Sequence, residues 1–409
     1  MSEFDDDYQP PRMKSDSQQW EFDLAIQQTG RVQHFFETRK LPTAVKTYAM
    51  VSKHLAKPAI RAERIAAIEE GAGHIETALE FYFDASEGYS RAQHALFSNT
   101  LEKQRLHAGC LRNFDHVRRL SPTPIERIEI PWNGVTLAGY LHLAPTDGPA
   151  PLVFFIPGID MTKEVVPVPG QNWALQRGMH LFVIDGPGQG ECNLNDIPLT
   201  VDNYEDACRT ALTHLLERPE IDPEKVGLFA MSFGSYWGVR VAATDDRYKA
   251  AVLQWASMAD PYYLFEGFAS PRYKQVLAYV TRSKSEEEVD DFLSRMKVDE
   301  MVPDISMPTL TTVGEFDQRS PLDEIYRFFD ALTAPGELWV FADQHHQVSV
   351  RGRSSAMSTS HDSHGFAMDW LRDRMQDKPL AHPGEVVYLD VGGLGPNDPS
   401  VKTKRHWLD

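Results

Sequence analysis

From about residue 150 onward, short and almost continuously apolar segments alternate with segments of helical pattern. The strand-like segments cover residues 152–156, 180–184, 226–230, 250–255, 309–313 and 338–341. The helical patterns cover residues 173–177, 204–218, 233–243 and 366–375. Buried strands separated by helices are typical of a parallel sheet that is covered on both faces. The pattern therefore predicts an α/β fold with a mostly parallel central sheet and helices on both faces.

Sequence on either side of this alternation extends the sheet. Residues 125–130 and 135–143 alternate as two strands around Asn133-Gly134, a pair that favours a tight hairpin turn. In the C-terminal extension 381–409, residues 386–391 predict a further strand. The sequence leaves open whether this extension packs on the body or on a partner subunit. Charged, helical sequence over residues 258–302 predicts a lid insertion.

The N-terminal part has little strand character. Residues 1–18 are polar and acidic and predict a disordered tail. In residues 19–124, apolar side chains recur at helical spacings, which predicts four or five helices. The absence of a fixed repeat period favours an all-helical cap or docking domain over a repeat array. The segment 121–124, rich in proline, then predicts a linker into an α/β domain over residues 125–380.

The charge balance narrows the class of partner. The chain carries 59 acidic and 41 basic side chains, a net charge of −18, which disfavours nucleic acid or an anionic membrane surface. No run approaches the roughly 18 apolar residues of a membrane span, and the polar N-terminus lacks the core of a signal peptide. Cys110, Cys192 and Cys208 fit neither a disulfide framework nor a metal cluster. We predict a cytoplasmic, reducing location and no metal or cofactor.

The apolar segment 226–230 stops abruptly at Met231-Ser232-Phe233-Gly234. A strand, a sharp turn with a serine and then a helix form a nucleophile elbow, in which residues flanking the serine must be small. Ser232 would then be exposed above the sheet, and the Phe233 N–H would point at a developing oxyanion. The alternative is an ordinary strand-to-helix turn with a structural serine.

Candidates for the acid and the base follow the elbow along the chain. Acyl transfer by a serine needs both, and elbow folds carry them in the order Ser, Asp, His. Asp317 follows the segment 309–313, with Glu315 as the competing acid. His345 and His346 follow the segment 338–341. Side chains of adjacent residues leaving a strand point to different sides, so the spacing alone admits either histidine as the base.

The loop after residues 152–156 is the predicted source of the second oxyanion donor. Gly158 allows a close backbone approach, and the N–H of Ile159 or Asp160 would face the carbonyl oxygen. A carboxylate at Asp160 is unfavourable beside a developing negative charge. We interpret Asp160 either as a capping residue or as a group that binds a substrate hydroxyl or cation, or passes a proton to the substrate.

The glycine-rich stretch 185–191 is predicted to be a tight loop packed beside the elbow. A dinucleotide site requires Gly-x-Gly to open directly into a helix. Here Pro187 and a predicted loop over residues 192–199 intervene, so that interpretation is disfavoured. No phosphate-binding Gly-x-x-x-x-Gly-Lys-Ser/Thr and no zinc-binding His-Glu-x-x-His occurs in the sequence.

Aromatic residues near the elbow and in the predicted lid would suit a flat aromatic substrate, although most could equally be core. The substrate-binding candidates are Trp237, Tyr262 and Tyr263. A second cluster precedes the last helix and is interpreted as surface or helix-start residues rather than metal ligands. Its members are His361, Asp362 and His364.

The 185–191 stretch (Asp-Gly-Pro-Gly-Gln-Gly-Glu), the 158–164 loop (Gly-Ile-Asp-Met-Thr-Lys-Glu) and the helical N-terminal region together resemble the FrsA-like branch of the α/β-hydrolases. The resemblance covers about residues 60–375. It implies an α/β-hydrolase fold and a Ser232–Asp317–His346 triad, since His346 matches the family's base. Asp160 stands where a family member has a glutamate implicated in C–C cleavage. Ala230 replaces the glycine that usually opens the family's elbow.

The resemblance also implies a homodimer and cleavage of a ketone beside an aromatic or polyketide unit. We therefore predict a serine-dependent hydrolase that cuts a C–C bond of a β-diketone or acyl-aromatic compound. A carboxylesterase is the nearest alternative, because an ester needs no proton donor for a carbon leaving group. Further alternatives are a triad-dependent acyltransferase or cyclase and a non-catalytic binding protein, the last disfavoured by a complete set of three side chains.

Overall fold

The computed structural model describes residues 50–165, 170–257, 271–317, 319–348, 362–390 and 395–409, together with residues 45, 47 and 167. The predicted tail 1–18, the first part of the predicted helical domain, and Tyr262 and Tyr263 lie outside the described residues.

A single large sheet organises the described part of the chain. Its ten strands run in the order β1-β2-β4-β3-β5-β6-β7-β8-β9-β10. The strands are β1 (Ile125–Trp132), β2 (Val135–His142), β3 (Ala150–Ile156), β4 (His180–Asp185), β5 (Ile221–Met231), β6 (Ala250–Gln254), β7 (Thr309–Gly314), β8 (Gly336–Phe341), β9 (Glu385–Leu389) and β10 (Lys402–Thr403). All neighbouring pairs from β4 to β9 are parallel, whereas the β1–β2, β2–β4 and β9–β10 pairs are antiparallel. The prediction of a mostly parallel sheet is confirmed.

Helices cover both faces of this sheet, and the first three helices of the described part of the chain form a separate layer. They are α1 (Val51–Gly71), α2 (Ile75–His94), α3 (Leu101–Leu120), α4 (Gly190–Leu194), α5 (Asn203–Leu215), α6 (Gly234–Thr244), α7 (Pro271–Thr281), α8 (Glu286–Arg295), α9 (Leu322–Ala331) and α10 (Asp362–Met375). Short 3₁₀ helices occur at Leu175–Arg177 and Val302–Asp304. Within the described ranges, every helix is too short or too polar to span a bilayer.

Alternation of side chains along the central strands creates two apolar cores. In β3, Phe154 faces the same core as α5, α6 and α9, whereas Phe155 faces the opposite core with α10. A period of two residues along a strand produces this division, because successive side chains point to opposite faces. Helices on both faces are needed to keep water from these two apolar surfaces.

The N-terminal helical layer, α1–α3, packs on the β1–β2 hairpin. Phe114 of α3 and Tyr140 of β2 have ring centroids 4.5 Å apart, inside a buried cluster that also contains Tyr82 and Ile125. Farther along the same layer, Ser90 and Thr162 share a hydrogen bond of 3.1 Å between their hydroxyl oxygens. The helices of this layer are therefore joined to the sheet both by apolar packing and by buried polar contacts.

Several predicted elements differ in detail from the observed ones. Residues 173–177 form only a 3₁₀ turn, Leu175–Arg177, and helix α9 was not predicted at all. The prediction of a loop over residues 192–199 was partly wrong, because α4 begins at Gly190 within the glycine-rich stretch. The predicted C-terminal strand is β9, which pairs parallel with β8. This described part of the extension therefore packs on the body of the same chain.

The three cysteines are free and buried. Cys110 lies on α3, Cys192 on α4 and Cys208 on α5. Burial raises the pKa of each thiol above its usual value, because a thiolate is poorly solvated inside a protein.

Candidate active site

Ser232 lies at a sharp turn between β5 and α6. Its φ of 56° is in the left-handed region, which is strained for a residue with a side chain. Its N–H donates to Gln254 O at 2.9 Å, and Ser235 Oγ donates to Ser232 O at 2.6 Å. These hydrogen bonds hold the strained turn in place from both sides.

Small residues make this turn possible. A Cβ at Gly234 would lie only 2.5 Å from Ile156 O, so no larger residue fits there without movement. The Ala230 methyl group is accommodated because α6 has Gly238 opposite it, where an added Cβ would lie 2.5 Å from that methyl carbon. The departure from glycine at position 230 is thus matched by a glycine one helical turn into α6.

His346 and Asp317 lie beside Ser232 in a continuous series of hydrogen bonds. Ser232 Oγ donates to His346 Nε2 at 2.7 Å, and His346 Nδ1 donates to Asp317 Oδ2 at 2.7 Å. Both partners are buried, with side-chain exposures of 2% for His346 and 1% for Asp317. Asp317 Oδ1 also accepts a hydrogen bond from the Arg319 N–H at 3.0 Å. This arrangement holds the imidazole so that Nε2 can accept a proton from the serine.

The two competing candidates have other partners. His345 is half-buried, and its Nδ1 lies 2.9 Å from Phe316 O. Glu315 accepts a hydrogen bond from the Asp343 N–H at 3.0 Å through Oε2. The two loops approach closely because position 314 is glycine, where a Cβ would lie 2.0 Å from His345 O.

Gly158, Ile159 and Asp160 lie on the other side of Ser232. A Cβ at Gly158 would be 3.2 Å from Ser232 Cβ and 3.5 Å from Asp160 Oδ1, so the serine and the Asp160 carboxylate both lie close to this glycine. The Phe233 N–H is at the start of α6. The predicted nucleophile, acid, base, both amide donors and Asp160 are therefore brought together at the carboxyl ends of β3, β5, β7 and β8.

Trp237, a predicted substrate-binding residue, is buried and does not line an open site. Its ring is 2% exposed, stacks on Tyr204 with centroids 4.0 Å apart, and meets the Phe233 ring edge-on at 4.9 Å. In this structure Trp237 belongs to the core behind the elbow. His364 lies in the first turn of α10, as predicted for a helix-start residue, and it is buried with its ring centroid 4.5 Å from that of Trp173. His361 lies outside the described residues.

A buried ion cluster beside the site was missed by the sequence interpretation. Lys163 is fully buried, and its Nζ lies 2.6 Å from Glu164 Oε1, 2.8 Å from Asp185 Oδ2 and 2.7 Å from Glu191 Oε2. Glu191 in turn accepts two hydrogen bonds from Arg127. The signal in the sequence was the acidic residue at each end of the glycine-rich stretch and the Lys-Glu pair at residues 163–164.

Opposite charges in this cluster compensate for burial. Burial disfavours the ammonium, but Asp185, Glu164 and Glu191 outweigh it and hold the pKa of Lys163 well above its usual value. Burial would raise the pKa of Glu191, yet the charges of Lys163 and Arg127 lower it to about 2. The pKa of Glu164 is raised, mainly by burial. The three carboxylates are spaced as metal ligands could be, but the Lys163 ammonium already occupies the space between them.

Comparison with known proteins places the chain in a family. A sequence model described as "Esterase FrsA-like" matches residues 57–293, more than half of the 409 residues. The 2,6-dihydropseudooxynicotine hydrolase of Paenarthrobacter nicotinovorans is 26% identical over 250 residues, covering 60% of this chain and 65% of that protein. The alpha/beta hydrolase gkaG of Penicillium citrinum is 31% identical over 228 residues, covering 53% and 52%.

Esterase FrsA of Vibrio cholerae is 28% identical over 190 residues, covering 45% of this chain and 44% of that protein. The matched regions thus cover about half to two thirds of the length of the 2,6-dihydropseudooxynicotine hydrolase and of gkaG, and less than half of the length of Esterase FrsA. Among solved structures, that of 2,6-dihydroxy-pseudo-oxynicotine hydrolase superposes with a TM-score of 0.71 at 23% identity, covering 88% of this chain and 97% of that one. AbyA5 superposes with a TM-score of 0.59 at 18% identity, covering 76% and 92%. The chain has the α/β-hydrolase fold and belongs to the FrsA-like esterase family.

Proposed function

We propose that the chain is a serine hydrolase with Ser232 as nucleophile, His346 as general base and Asp317 as the acid that orients the base. The observation that supports this most strongly is the unbroken pair of 2.7 Å hydrogen bonds from Ser232 Oγ through His346 to Asp317. A buried aspartate fixes the imidazole tautomer and stabilises the imidazolium that forms when the serine loses its proton. A structural serine has no need of such a series.

The proposed reaction begins when Ser232 Oγ adds to a substrate carbonyl carbon while His346 Nε2 takes the hydroxyl proton. The carbonyl oxygen becomes an oxyanion that accepts hydrogen bonds from the Ile159 and Phe233 N–H groups. The tetrahedral intermediate then collapses, the bond to the leaving group breaks, and the leaving group takes a proton, which His346 gives up either to it directly or to the acid that protonated it. Water, activated by His346, hydrolyses the acyl-enzyme and regenerates the serine.

We propose a ketone as the substrate, with a C–C bond as the bond that breaks. Carbon leaves with its electron pair only if it is stabilised, for example as the ketone enolate that cleavage of a β-diketone releases, and protonated as it departs. Asp160, whose Oδ1 lies close to Gly158 and hence to Ser232, is the proposed proton donor. The similarity to 2,6-dihydropseudooxynicotine hydrolase supports a substrate of this ketonic, aromatic class.

Ester hydrolysis is the second candidate. The family description is that of an esterase, and an alkoxide or phenoxide leaving group needs no acid as strong as carbon requires. The proposed partners are a small aromatic or polyketide-like substrate and, by the family resemblance, a second copy of the chain. A cytoplasmic location remains a proposal from composition.

The test compares two substrates on the intact protein. A fluorophosphonate probe should label the wild type and not Ser232→Ala, and an aryl β-diketone should be cleaved faster than a p-nitrophenyl ester. Unlabelled but folded wild-type protein would contradict the nucleophile. Faster turnover of the ester would favour the esterase, and an acyl product without oxygen from labelled water would favour a transferase or cyclase.

Asp160→Asn separates the two reactions further. Asparagine keeps the shape of the side chain but cannot supply a proton, so cleavage of the diketone should fall about 100-fold, within the range for general acid catalysis. Hydrolysis of the p-nitrophenyl ester should stay within about threefold of the wild type, because its leaving group needs no proton. Equal losses on both substrates would assign Asp160 a structural role.

A further inference from the structure

One peptide group beside Ser232 is held on its carbonyl side by two hydrogen bonds. Gly158 O accepts from the Met161 N–H at 3.0 Å and from Gln189 Nε2 at 2.8 Å. The same peptide group carries the Ile159 N–H. A trans peptide is planar, with its C=O and N–H pointing in opposite directions. Fixing Gly158 O therefore fixes the direction of the Ile159 N–H.

The Met161 hydrogen bond is local to the turn and does not tie the Gly158–Ile159 peptide to any other part of the fold. The turn comprises residues 158–161. Gln189 lies in the loop after β4, so its hydrogen bond ties the turn to a different segment of the chain. Its Nε2 also lies 3.4 Å from Pro157 O. The side chain thus spans the two carbonyls that precede the Ile159 amide.

The orientation of the Gln189 amide is itself determined. Its Oε1 accepts from the Gly186 N–H at 3.3 Å and from Tyr204 Oη at 2.6 Å. A backbone N–H can only donate, so Oε1 must face Gly186 and Nε2 must face Gly158. Burial raises the pKa of Tyr204 well above its usual value, which keeps its hydroxyl protonated as a donor.

Tyr204 is also connected, through Trp237, to Phe233, whose N–H is the other proposed oxyanion donor. The Tyr204 ring stacks on Trp237 at a centroid distance of 4.0 Å and an interplanar angle of 5°, and Trp237 packs edge-on against Phe233 at 4.9 Å. Close approach of Tyr204 depends on Gly186, where an added Cβ would lie 2.3 Å from the tyrosine ring. Gln189 and Tyr204 therefore lie behind both proposed oxyanion donors without facing the substrate side themselves.

We propose that Gln189 is a positioning residue, which aims the Ile159 N–H at the oxyanion by holding the Gly158 carbonyl, with Tyr204 holding Gln189. The inference rests on the proposed serine chemistry. It explains why the 185–191 stretch carries a glutamine at position 189, since packing alone does not require an amide there. A hydrogen bond received by the carbonyl also polarises the peptide and strengthens its N–H as a donor.

The test replaces Gln189 by leucine, which keeps most of the volume and removes the amide. We expect kcat/KM for a p-nitrophenyl ester to fall about 10- to 100-fold, less than the roughly 10²- to 10³-fold loss when an oxyanion donor is removed outright. KM should change by less than about threefold, because the ground-state carbonyl depends little on the donor. Phenylboronic acid, which forms a tetrahedral adduct with an active serine, should lose affinity by the same factor as kcat/KM.

Asn193→Leu is the matched control. Asn193 of α4 donates through Nδ2 to Gly188 O at 3.0 Å. This is also a buried amide-to-carbonyl hydrogen bond to the loop after β4, but it does not touch the 158–161 turn. Asn193→Leu should lower stability as Gln189→Leu does, but its kcat/KM and boronate affinity should stay within about threefold of the wild-type values. Tyr204→Phe, which keeps the stack and loses the hydroxyl, should fall between the two.

Two readouts separate failure of this inference from failure of the proposed function. Wild-type protein that binds no fluorophosphonate would overturn the serine chemistry and, with it, the catalytic role of Gln189. Wild type that is labelled, combined with Gln189→Leu of undiminished kcat/KM, would overturn the positioning role alone. A crystal structure of Gln189→Leu should show the Gly158–Ile159 peptide rotated or in two orientations, and an unchanged peptide with reduced turnover would also contradict the inference.

Discussion

At the scale of single residues, the site depends on which of two neighbours faces the serine. His345 and His346 leave the backbone on different sides, so one contacts Phe316 O and the other lies between Ser232 and Asp317. The spacing along the chain admits both, and only the family resemblance favoured His346. What decides the geometry is the turn after β8, which the glycine at position 314 allows to approach the neighbouring loop.

The adjacent histidines form a natural pair for mutation. His346→Gln should reduce kcat/KM for a p-nitrophenyl ester about 10³-fold or more, since glutamine cannot accept the serine proton and loss of one triad member removes most of the rate. His345→Gln changes the same side chain one position earlier and should leave kcat/KM within about threefold. Steady-state kinetics on both purified variants checks this, and a comparable loss in both would contradict the assigned roles.

At the scale of elements, the loops after β3 and β4 act as one unit. The Asp185 carboxylate accepts from the Lys163 N–H at 2.8 Å and from its Nζ at 2.8 Å. It also accepts from the Glu191 N–H at 3.1 Å. Gly190, at a φ of 43°, has no room for a side chain, because a Cβ would lie 2.1 Å from Asp185 Oδ2. The loop that carries the proposed oxyanion donor is thus held to the loop after β4 through Lys163 and Asp185.

Removing the central cation should be costly. Lys163→Met leaves three buried carboxylates without their shared partner, and breaking a buried ion pair in this way costs about 3–5 kcal/mol of unfolding free energy. The control Lys249→Met removes a pair with Asp377, whose side chains are 28% and 78% exposed, and should cost less than about 1 kcal/mol. Urea unfolding of both variants at neutral pH measures the difference, and similar losses would argue against the cluster as a stabilising unit.

Sequence patterns predicted the strands of the sheet because buried parallel strands are short, apolar and bounded by turn residues. The same reasoning located Ser232 and Asp317, whose positions follow from strand ends. Helix α9 was overlooked although Ile325, Phe328 and Phe329 recur at helical spacing and are buried. Lys163 could not be found in this way, since its burial depends on carboxylates brought together from separate loops. Gln189 likewise has no local signature, because its partner is a backbone carbonyl on another loop.

At the scale of the whole molecule, stability is linked to pH through groups buried in an uncharged form. His142 of β2 is buried, and burial lowers its pKa to about 3. In the unfolded chain its pKa is about 6.5, so only the unfolded state takes up a proton between these values. The stabilisation is complete above about pH 6.5 and is lost as the pH falls toward about 3.

Between pH 7 and pH 5, His142 should reduce the free energy of unfolding by about 2 kcal/mol. His142→Phe cannot titrate and should remove this part of the pH dependence, whatever its effect on stability at pH 7. His406→Gln, at an exposed position, should leave the pH dependence unchanged. Urea unfolding at pH 7, 6 and 5 measures the slopes, and equal slopes for wild type and His142→Phe would contradict the linkage.

The buried, protonated thiols have a practical consequence for covalent chemistry on this protein. Thiolates are the usual competitors of an activated serine for electrophiles, and here Cys110, Cys192 and Cys208, the full complement of three, are inside the fold. An adduct formed on the native protein by a phosphonate or a related warhead can therefore be distinguished from modification of a thiol without mutating any cysteine.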